Sequence, residues 1–176
     1  LHMVTALVDD HGRKMHFTQG YSCHVCLLRP RSRGSVQLAS ANPDDLPLID
    51  PAFLEDPQDL EDMVQGYKIT KKIMEAPSLK RWMKKDMFTA NVKRDDETRD
   101  VIRPRAHTVY PPLGSCKLGT DEQAVVDPQL RVHGIEGLRV IDASIMPTLI
   151  GGNTNAPAMM IAEKAVDMIR GQSRTG

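Results

Sequence analysis

Aromatic side chains are scarce in this sequence. They make up 4% of its 176 residues, and one of them is a tryptophan. No stretch approaches the roughly 20 apolar residues that span a bilayer, and no signal-peptide pattern opens the chain. Lys plus Arg equals Asp plus Glu at 23 each, so no overall field favours nucleic acid or an anionic membrane, and only local patches could. The absences favour a cytoplasmic protein without a nucleic-acid partner, with inner-membrane association as the alternative.

Cysteine is also too sparse for a disulfide framework, because the three residues are an odd number spread along the chain. Cys23 and Cys26 form a C-x-x-C pair inside a stretch with strand character. A spacing of three places two side chains on opposite faces of a strand. No second C-x-x-C follows that would complete a zinc site. We expect free structural thiols in a reducing compartment and no metal.

Hydrophobic spacing and turn residues predict an α+β fold. Strands are expected at 3–8, 22–28 and 35–38, and shorter ones at 125–132 and 138–142. Helices are expected from Pro57 to just before Pro77, at 79–88, at 95–102, and from near Pro157 to Gly171. Asp56 is the expected N-cap of the first helix. The interpretation is a mixed, largely antiparallel sheet with helices packed on one face.

The most informative segment is Gly151-Gly-Asn-Thr-Asn-Ala-Pro157, directly before the last helix. A glycine pair lets a ligand approach the backbone closely. The two asparagines supply amide donors and acceptors, and a helix N-terminus presents free N–H groups and a positive dipole end. A ligand site is one interpretation. A well-capped helix without a ligand is the other.

Longer motifs around this segment decide between the two. Val126-Asp-Pro-Gln-Leu-Arg-Val-His-Gly-Ile-Glu-Gly-Leu-Arg-Val-Ile-Asp-Ala-Ser-Ile-Met-Pro147, followed by Gly152-Asn-Thr-Asn-Ala-Pro157 and Ile161-Ala-Glu-Lys-Ala165, resembles the C-terminal signature of the glucose-methanol-choline oxidoreductases. Leu28-Arg-Pro-Arg-Ser-Arg-Gly-Ser-Val-Gln-Leu38 resembles that family's substrate-domain strand pair, and residues 110–119 its active-site loop. The resemblance covers nearly the whole chain, in the right order. It is strongest to bacterial choline and alcohol dehydrogenases.

The resemblance implies an FAD-dependent enzyme that oxidises a small alcohol to an aldehyde by hydride transfer to flavin. It implies that Asn153 is one member of the catalytic pair and that Thr154 and Asn155 run beside the flavin ring. Asp142 and Ala143 match the strand end that approaches the ribityl-phosphate part of the cofactor. It also implies a substrate-binding domain with the active-site loop at residues 1–119 and a segment that completes the FAD-binding domain at 120–176.

One position departs from the family pattern. The loop reads Tyr110-Pro-Pro-Leu-Gly-Ser-Cys-Lys-Leu-Gly119, so Pro111 stands where the catalytic histidine belongs. Proline has no titratable side chain and cannot act as an acid or a base. Three explanations stay open. Pro111 is an introduced change, or the protein is a natural homologue with weakened or altered chemistry, or His107 reaches the site in place of the missing histidine.

A second departure concerns the cofactor. The Gly-x-Gly-x-x-Gly fingerprint that cradles a dinucleotide pyrophosphate does not occur in the sequence. We therefore expect a C-terminal portion separated from an N-terminal FAD-binding part, unable to bind FAD tightly or turn over alcohol alone, and prone to self-association. The alternatives are a non-catalytic homologue acting as a binding or structural module and, within the same fold, a lyase acting on cyanohydrins.

Overall fold

The computed structural model describes residues 1–9, 13–16, 18–108 and 112–171. Two compact units divide the chain, one made of Leu1–Gly34 with Asp50–His107 and the other of Ser35–Ile49 with Thr108–Gly176. The strands are β1 (His2–Val4), β2 (Val8–Asp9), β3 (Lys14–Met15), β4 (Ser22–His24), β5 (Ser35–Gln37) and β6 (Leu48–Asp50). The helices are α1 (Pro57–Met74), α2 (Pro77–Lys80), α3 (Asp95–Ile102) and α4 (Asn155–Ile169), with a short 3-10 helix at Ala143–Ile145.

The strands pair two by two. β1 is antiparallel to β4, with His2 opposite His24 and Met3 opposite Cys23. β2 is antiparallel to β3, and β5 pairs with β6. Among the described residues the sheets are thus three separate two-stranded ones, where the sequence predicted a single mixed sheet. The α+β class, with helices and small antiparallel sheets, describes the chain.

Helix α1 begins and ends as its sequence predicts. The Asp56 carboxylate accepts a hydrogen bond of 2.8 Å from the Gln58 N–H, and Pro57 takes the first helical position. The buried face of α1 carries Leu60 and Val64, which pack with Ile102 of α3. The bounds predicted for α3 are confirmed as well. These two helices form the core of the first unit.

The helix predicted at 79–88 is wrong in its extent. Only Pro77–Lys80 is helical, and the chain then turns. The Asp86 carboxylate accepts hydrogen bonds from the Phe88 N–H at 3.0 Å and the Thr89 N–H at 2.8 Å. An aspartate that binds N–H groups two and three residues ahead offers the backbone a turn in place of a helix.

The core of the second unit lies between α4 and the segments before it. Its buried members are Val126, Leu130, Ile145, Met146, Ile161 and Ala165. The strands predicted at 125–132 and 138–142 are wrong, since only isolated bridges form there, Val126 with Val132 and Arg131 with Arg139. At 125–132 the cause is Asp127, whose carboxylate accepts the Gln129 and Arg131 N–H groups and turns the chain.

Candidate functional site

The segment before α4 presents an open helix N-terminus. Thr154 is the N-cap residue and no side-chain hydrogen bond caps the helix, which begins at Asn155, two residues before the predicted Pro157. The first N–H groups of a helix have no acceptor within the helix. Asn153 and Asn155 are exposed, Thr154 is half-buried, and a Cβ added at Gly152 meets no atom within 4 Å. The arrangement offers uncapped donors and two amides to an incoming ligand.

Asp142 and Ala143 lie at the start of the 3-10 helix. The Asp142 carboxylate accepts a hydrogen bond of 2.7 Å from the Ser144 N–H and thereby caps this helix. Ala143 is half-buried and packs on the core of the second unit. The 3-10 helix contacts α4. The capping role of Asp142 was missed from the sequence, although its Asp-x-Ser pattern is typical of such a cap.

The loop 112–119 docks on the same 3-10 helix. The Cys116 N–H donates to the Ser144 carbonyl at 3.0 Å, and the Leu118 N–H donates to the Ile145 carbonyl at 2.9 Å. Gly114 has a φ of +81°, a conformation that favours glycine. The three segments singled out in the sequence, namely the loop, the start of the 3-10 helix and the start of α4, therefore surround one core.

Charged groups at the edge of this arrangement pair locally. The Lys117 ammonium lies 2.8 Å from the Asp121 carboxylate and lowers the pKa of that carboxyl. Burial by itself raises the pKa of Asp127, but hydrogen bonds from the Arg131 backbone and guanidinium outweigh it and lower the pKa. Both carboxylates are held in structural pairs. Neither is offered to a ligand as a base.

Pro111 lies outside the described residues, so its predicted position in the loop is not observed. His107 belongs to the first unit and is exposed. The Nε2 atom of His133 lies 3.3 Å from the Gly119 carbonyl oxygen, a contact at the far end of the loop. That contact gives His133 a structural partner.

Comparisons with known proteins all indicate the same family. A family model described as GMC oxidoreductase matches residues 30–162. The chain belongs to the GMC oxidoreductase family.

Two curated relatives match almost the whole chain. An alcohol dehydrogenase [acceptor] of Pseudomonas putida is 48% identical over 169 residues, which cover 96% of this chain and 31% of the relative. The mitochondrial choline dehydrogenase of Homo sapiens is 42% identical over 174 residues, which cover 97% of this chain and 29% of the relative. The chain thus spans less than a third of the length of these relatives.

A solved structure repeats the fold. The crystal structure of pyridoxine 4-oxidase from Mesorbium loti superposes with a TM-score of 0.77 at 32% identity. The superposition covers 84% of this chain and 29% of that one. The arrangement of helices and small sheets is therefore one that this family uses.

Proposed function

We propose that this chain is the C-terminal substrate-binding and catalytic part of an FAD-dependent alcohol dehydrogenase that oxidises a choline-like or other small alcohol to an aldehyde. The observation that carries the proposal is the uncapped N-terminus of α4, flanked by the exposed amides of Asn153 and Asn155. Membership of the GMC oxidoreductase family supports the reaction class. The names of the relatives, alcohol dehydrogenase and choline dehydrogenase, support the substrate class.

The residues present fit the flavin end of FAD. Two first-turn N–H groups without a side-chain cap, at the positive end of a 15-residue helix, suit a ring edge that bears oxygen atoms and gains negative charge. Thr154 and Asn155 would lie beside that ring, and Asp142 and Ala143 near the ribityl-phosphate part. When bound, FAD supplies the two-electron acceptor for hydride from the alcohol carbon.

Asn153 has the role of holding the substrate oxygen. Its exposed side-chain N–H can donate a hydrogen bond to the alcohol oxygen and stabilise negative charge that develops there. An amide does not titrate in this pH range, so Asn153 positions the alcohol but cannot accept its proton. A second group is required as the base. In the family pattern that group stands at position 111.

Pro111 weakens the catalytic half of the proposal. A proline cannot accept the hydroxyl proton, and in the described chain that follows, Lys117 and Asp121 are paired with each other. The second candidate function follows from this observation: a homologue that keeps the fold and has lost the chemistry, serving as a binding or structural module. Restoring histidine at position 111 discriminates between the two.

The proposed partner is an N-terminal FAD-binding portion. Leu38 and Leu46 around the β5–β6 pair are 86% and 84% exposed, and Met159 and Met160 of α4 are also exposed. Apolar surface of this kind marks an interaction site or causes self-association. We propose that residues 1–119 contribute substrate-binding surface to one mixed sheet with helices on one face, and that 120–176 complete the FAD-binding domain.

Flavin absorbance tests the proposal directly. The purified chain should carry no stoichiometric flavin, because it lacks the glycine-rich cradle for the pyrophosphate. A fusion to the part of the Pseudomonas putida relative that this chain does not match should carry stoichiometric FAD. Stoichiometric flavin on the chain alone would refute the proposal that FAD binding needs the N-terminal portion. A folded fusion that carries no flavin would refute the cofactor assignment.

A further inference from the structure

One buried nitrogen atom of the first unit has no hydrogen-bond partner. The Nε2 atom of His24, on β4, is shielded from water and forms no hydrogen bond with any residue that the structure describes. Such an atom gives up its hydrogen bonds to water and gains none in return. Histidine is also the side chain that takes up a proton near neutral pH. In the protonated ring this nitrogen carries a hydrogen atom, and no described residue accepts it.

Two further histidines lie beside His24. His2 of β1 stands directly opposite in the antiparallel register, so the two side chains lie on the same face of the strand pair. His107 follows five residues after the end of α3. Burial of the ring lowers the pKa of His24, and the charges of His107 and of His2 lower it further. We call His2, His24 and His107 the histidine cluster.

Positive charge in the histidine cluster meets no carboxylate within the described part of the chain. The charges that act on the pKa of His24 there are those of the other two imidazoles. Cys23, on the same strand, remains a neutral thiol because burial raises its pKa. Helix α1 packs beside His24, since a Cβ at Gly66 would lie 2.6 Å from the Val25 Cγ1 atom. The charged side chains that α1 and α3 direct at each other form two ion pairs, Glu61 with Arg99 and Lys68 with Asp95. Protonation of the cluster therefore brings positive charges together with no counter-ion.

His107 stands where the chain leaves the first unit. The stretch Asp50–His107 belongs to that unit, and the chain continues into the second unit at Thr108. Just before His107, the Arg105 and Ala106 N–H groups donate to the Ile102 carbonyl at 3.0 and 2.8 Å. Position 111 of the active-site loop follows four residues after His107. A change in how His107 is held therefore reaches the segment that leads into the candidate site.

We propose that the histidine cluster is an acid-sensitive switch, whose protonation separates His107 from β4 and releases residues 103–108. Neutral imidazoles lie together at no electrostatic cost, whereas charged ones repel each other at short range. Because the pKa of His24 is lowered in the folded chain, the cluster contributes its full stability above the ordinary value of 6.5. That contribution is lost as the pH falls from 6.5 through the lower folded value. The switch does not depend on the redox role of the chain.

An NMR titration of the histidine ring signals tests the cluster at its own atoms. In the unchanged chain His24 should titrate below the ordinary pKa of 6.5. His107→Gln removes a positive neighbour and should raise the pKa of His24. His133→Gln is the matched control, because His133 lies in the second unit beside the Gly119 carbonyl, and it should leave the pKa of His24 unchanged. A pKa of His24 that does not respond to His107→Gln overturns the proposal.

Hydrogen exchange measures the release itself. Between about pH 7.5 and about pH 5.5, a range that brackets histidine titration, the Arg105 and Ala106 amides should lose protection. After correction for the intrinsic rate, the loss should be about fivefold or more, the lower end of typical coupling between two sites. The Thr98 amide, which donates to the Arg94 carbonyl within α3, should keep its protection. Equal loss at all three amides would indicate general acid unfolding and contradict the switch.

The double variant His24→Gln/His107→Gln removes the titrating groups. Its Arg105 and Ala106 amides should show the same protection at both pH values, with an unchanged circular dichroism spectrum. If the double variant does not fold, His2→Gln gives the comparison at an exposed position of the cluster, and the loss should then be smaller than in the unchanged chain. A loss as large in these variants as in the unchanged chain overturns the assignment.

Discussion

Asp59 shows at the scale of one residue how this sequence joins a loop to a helix. Its carboxylate is 1% exposed and accepts hydrogen bonds from the Arg31 N–H at 2.8 Å, the Ser32 N–H at 2.8 Å and the Ser32 hydroxyl at 2.6 Å. Burial by itself raises the pKa of Asp59, yet these hydrogen bonds outweigh it and hold the pKa below the ordinary 3.8. The buried charge is therefore stabilised by its donors.

Replacing this carboxylate should destabilise the chain. Asp59→Asn keeps the size but loses the charge and one acceptor oxygen, and we expect a loss of about 2 kcal/mol in the free energy of unfolding. Urea unfolding followed by circular dichroism measures it. Asp100→Asn on α3 makes the same chemical change at an exposed position and should leave the midpoint unchanged. An Asp59→Asn midpoint equal to that of the unchanged chain would contradict the role given to the network.

The same network predicts an acid dependence. A carboxyl whose folded pKa is lowered contributes stability that is present above the unfolded pKa, near 3.8, and is lost as the pH falls through the lower folded value. Part of the acid sensitivity below about pH 4 should therefore disappear in Asp59→Asn.

At the scale of secondary-structure elements, the approach of two chain segments at Gly34 fixes where β5 begins. A Cβ at this position would overlap the Asp50 carbonyl oxygen and lie 2.8 Å from the Pro51 Cα. Both neighbours are backbone atoms and cannot move aside as a flexible side chain can. Gly34, just before β5, thus lies so close to the backbone at the end of β6 that no side chain fits at this position.

Gly34→Ala should cost about 2 kcal/mol, the typical penalty of forcing a methyl group into a filled space. Gly152→Ala serves as the control, because a Cβ there meets nothing within 4 Å. Both are compared by urea unfolding. A Gly34→Ala variant as stable as Gly152→Ala would show that the backbone relaxes at no cost.

Local signals explain which elements could be predicted from the sequence. Helix α1 carries an aspartate cap and an N-terminal proline, and α3 carries acidic residues in its first turn, so both bounds were predicted. The turn at Asp86, after α2, and the turn at Asp127 depend on side chains that capture backbone N–H groups. There, side-chain oxygens compete with helix and strand hydrogen bonds for the same backbone N–H groups, and the spacing of residue types cannot show which of them forms.

For the site, the motif around Asn153 pointed to the start of α4, but no capping side chain marks the residue at which the helix begins. The docking of loop 112–119 on the 3-10 helix joins residues about 28 positions apart and has no local signal. Sequence patterns could therefore name the segments of the site, while their contacts required the structure.

At the scale of the whole molecule, the chain exposes apolar side chains on the β5–β6 pair and on one face of α4, which fits cover by another protein part. No helix within the described ranges is long and apolar enough to cross a bilayer. We propose that this surface meets the FAD-binding portion.

We propose that Asn153 of this chain supplies the alcohol-binding amide of a flavin enzyme, and that Pro111 stands at the sequence position of its base. The most direct measurement is alcohol-dependent dye reduction by the FAD-loaded fusion, with Pro111 unchanged, with Pro111→His, and with Pro112→His as the matched control. A restored base predicts at least about 100-fold faster turnover in Pro111→His, and no gain in Pro112→His. An FAD-loaded, folded Pro111→His fusion without turnover would contradict the claim and favour the non-catalytic homologue.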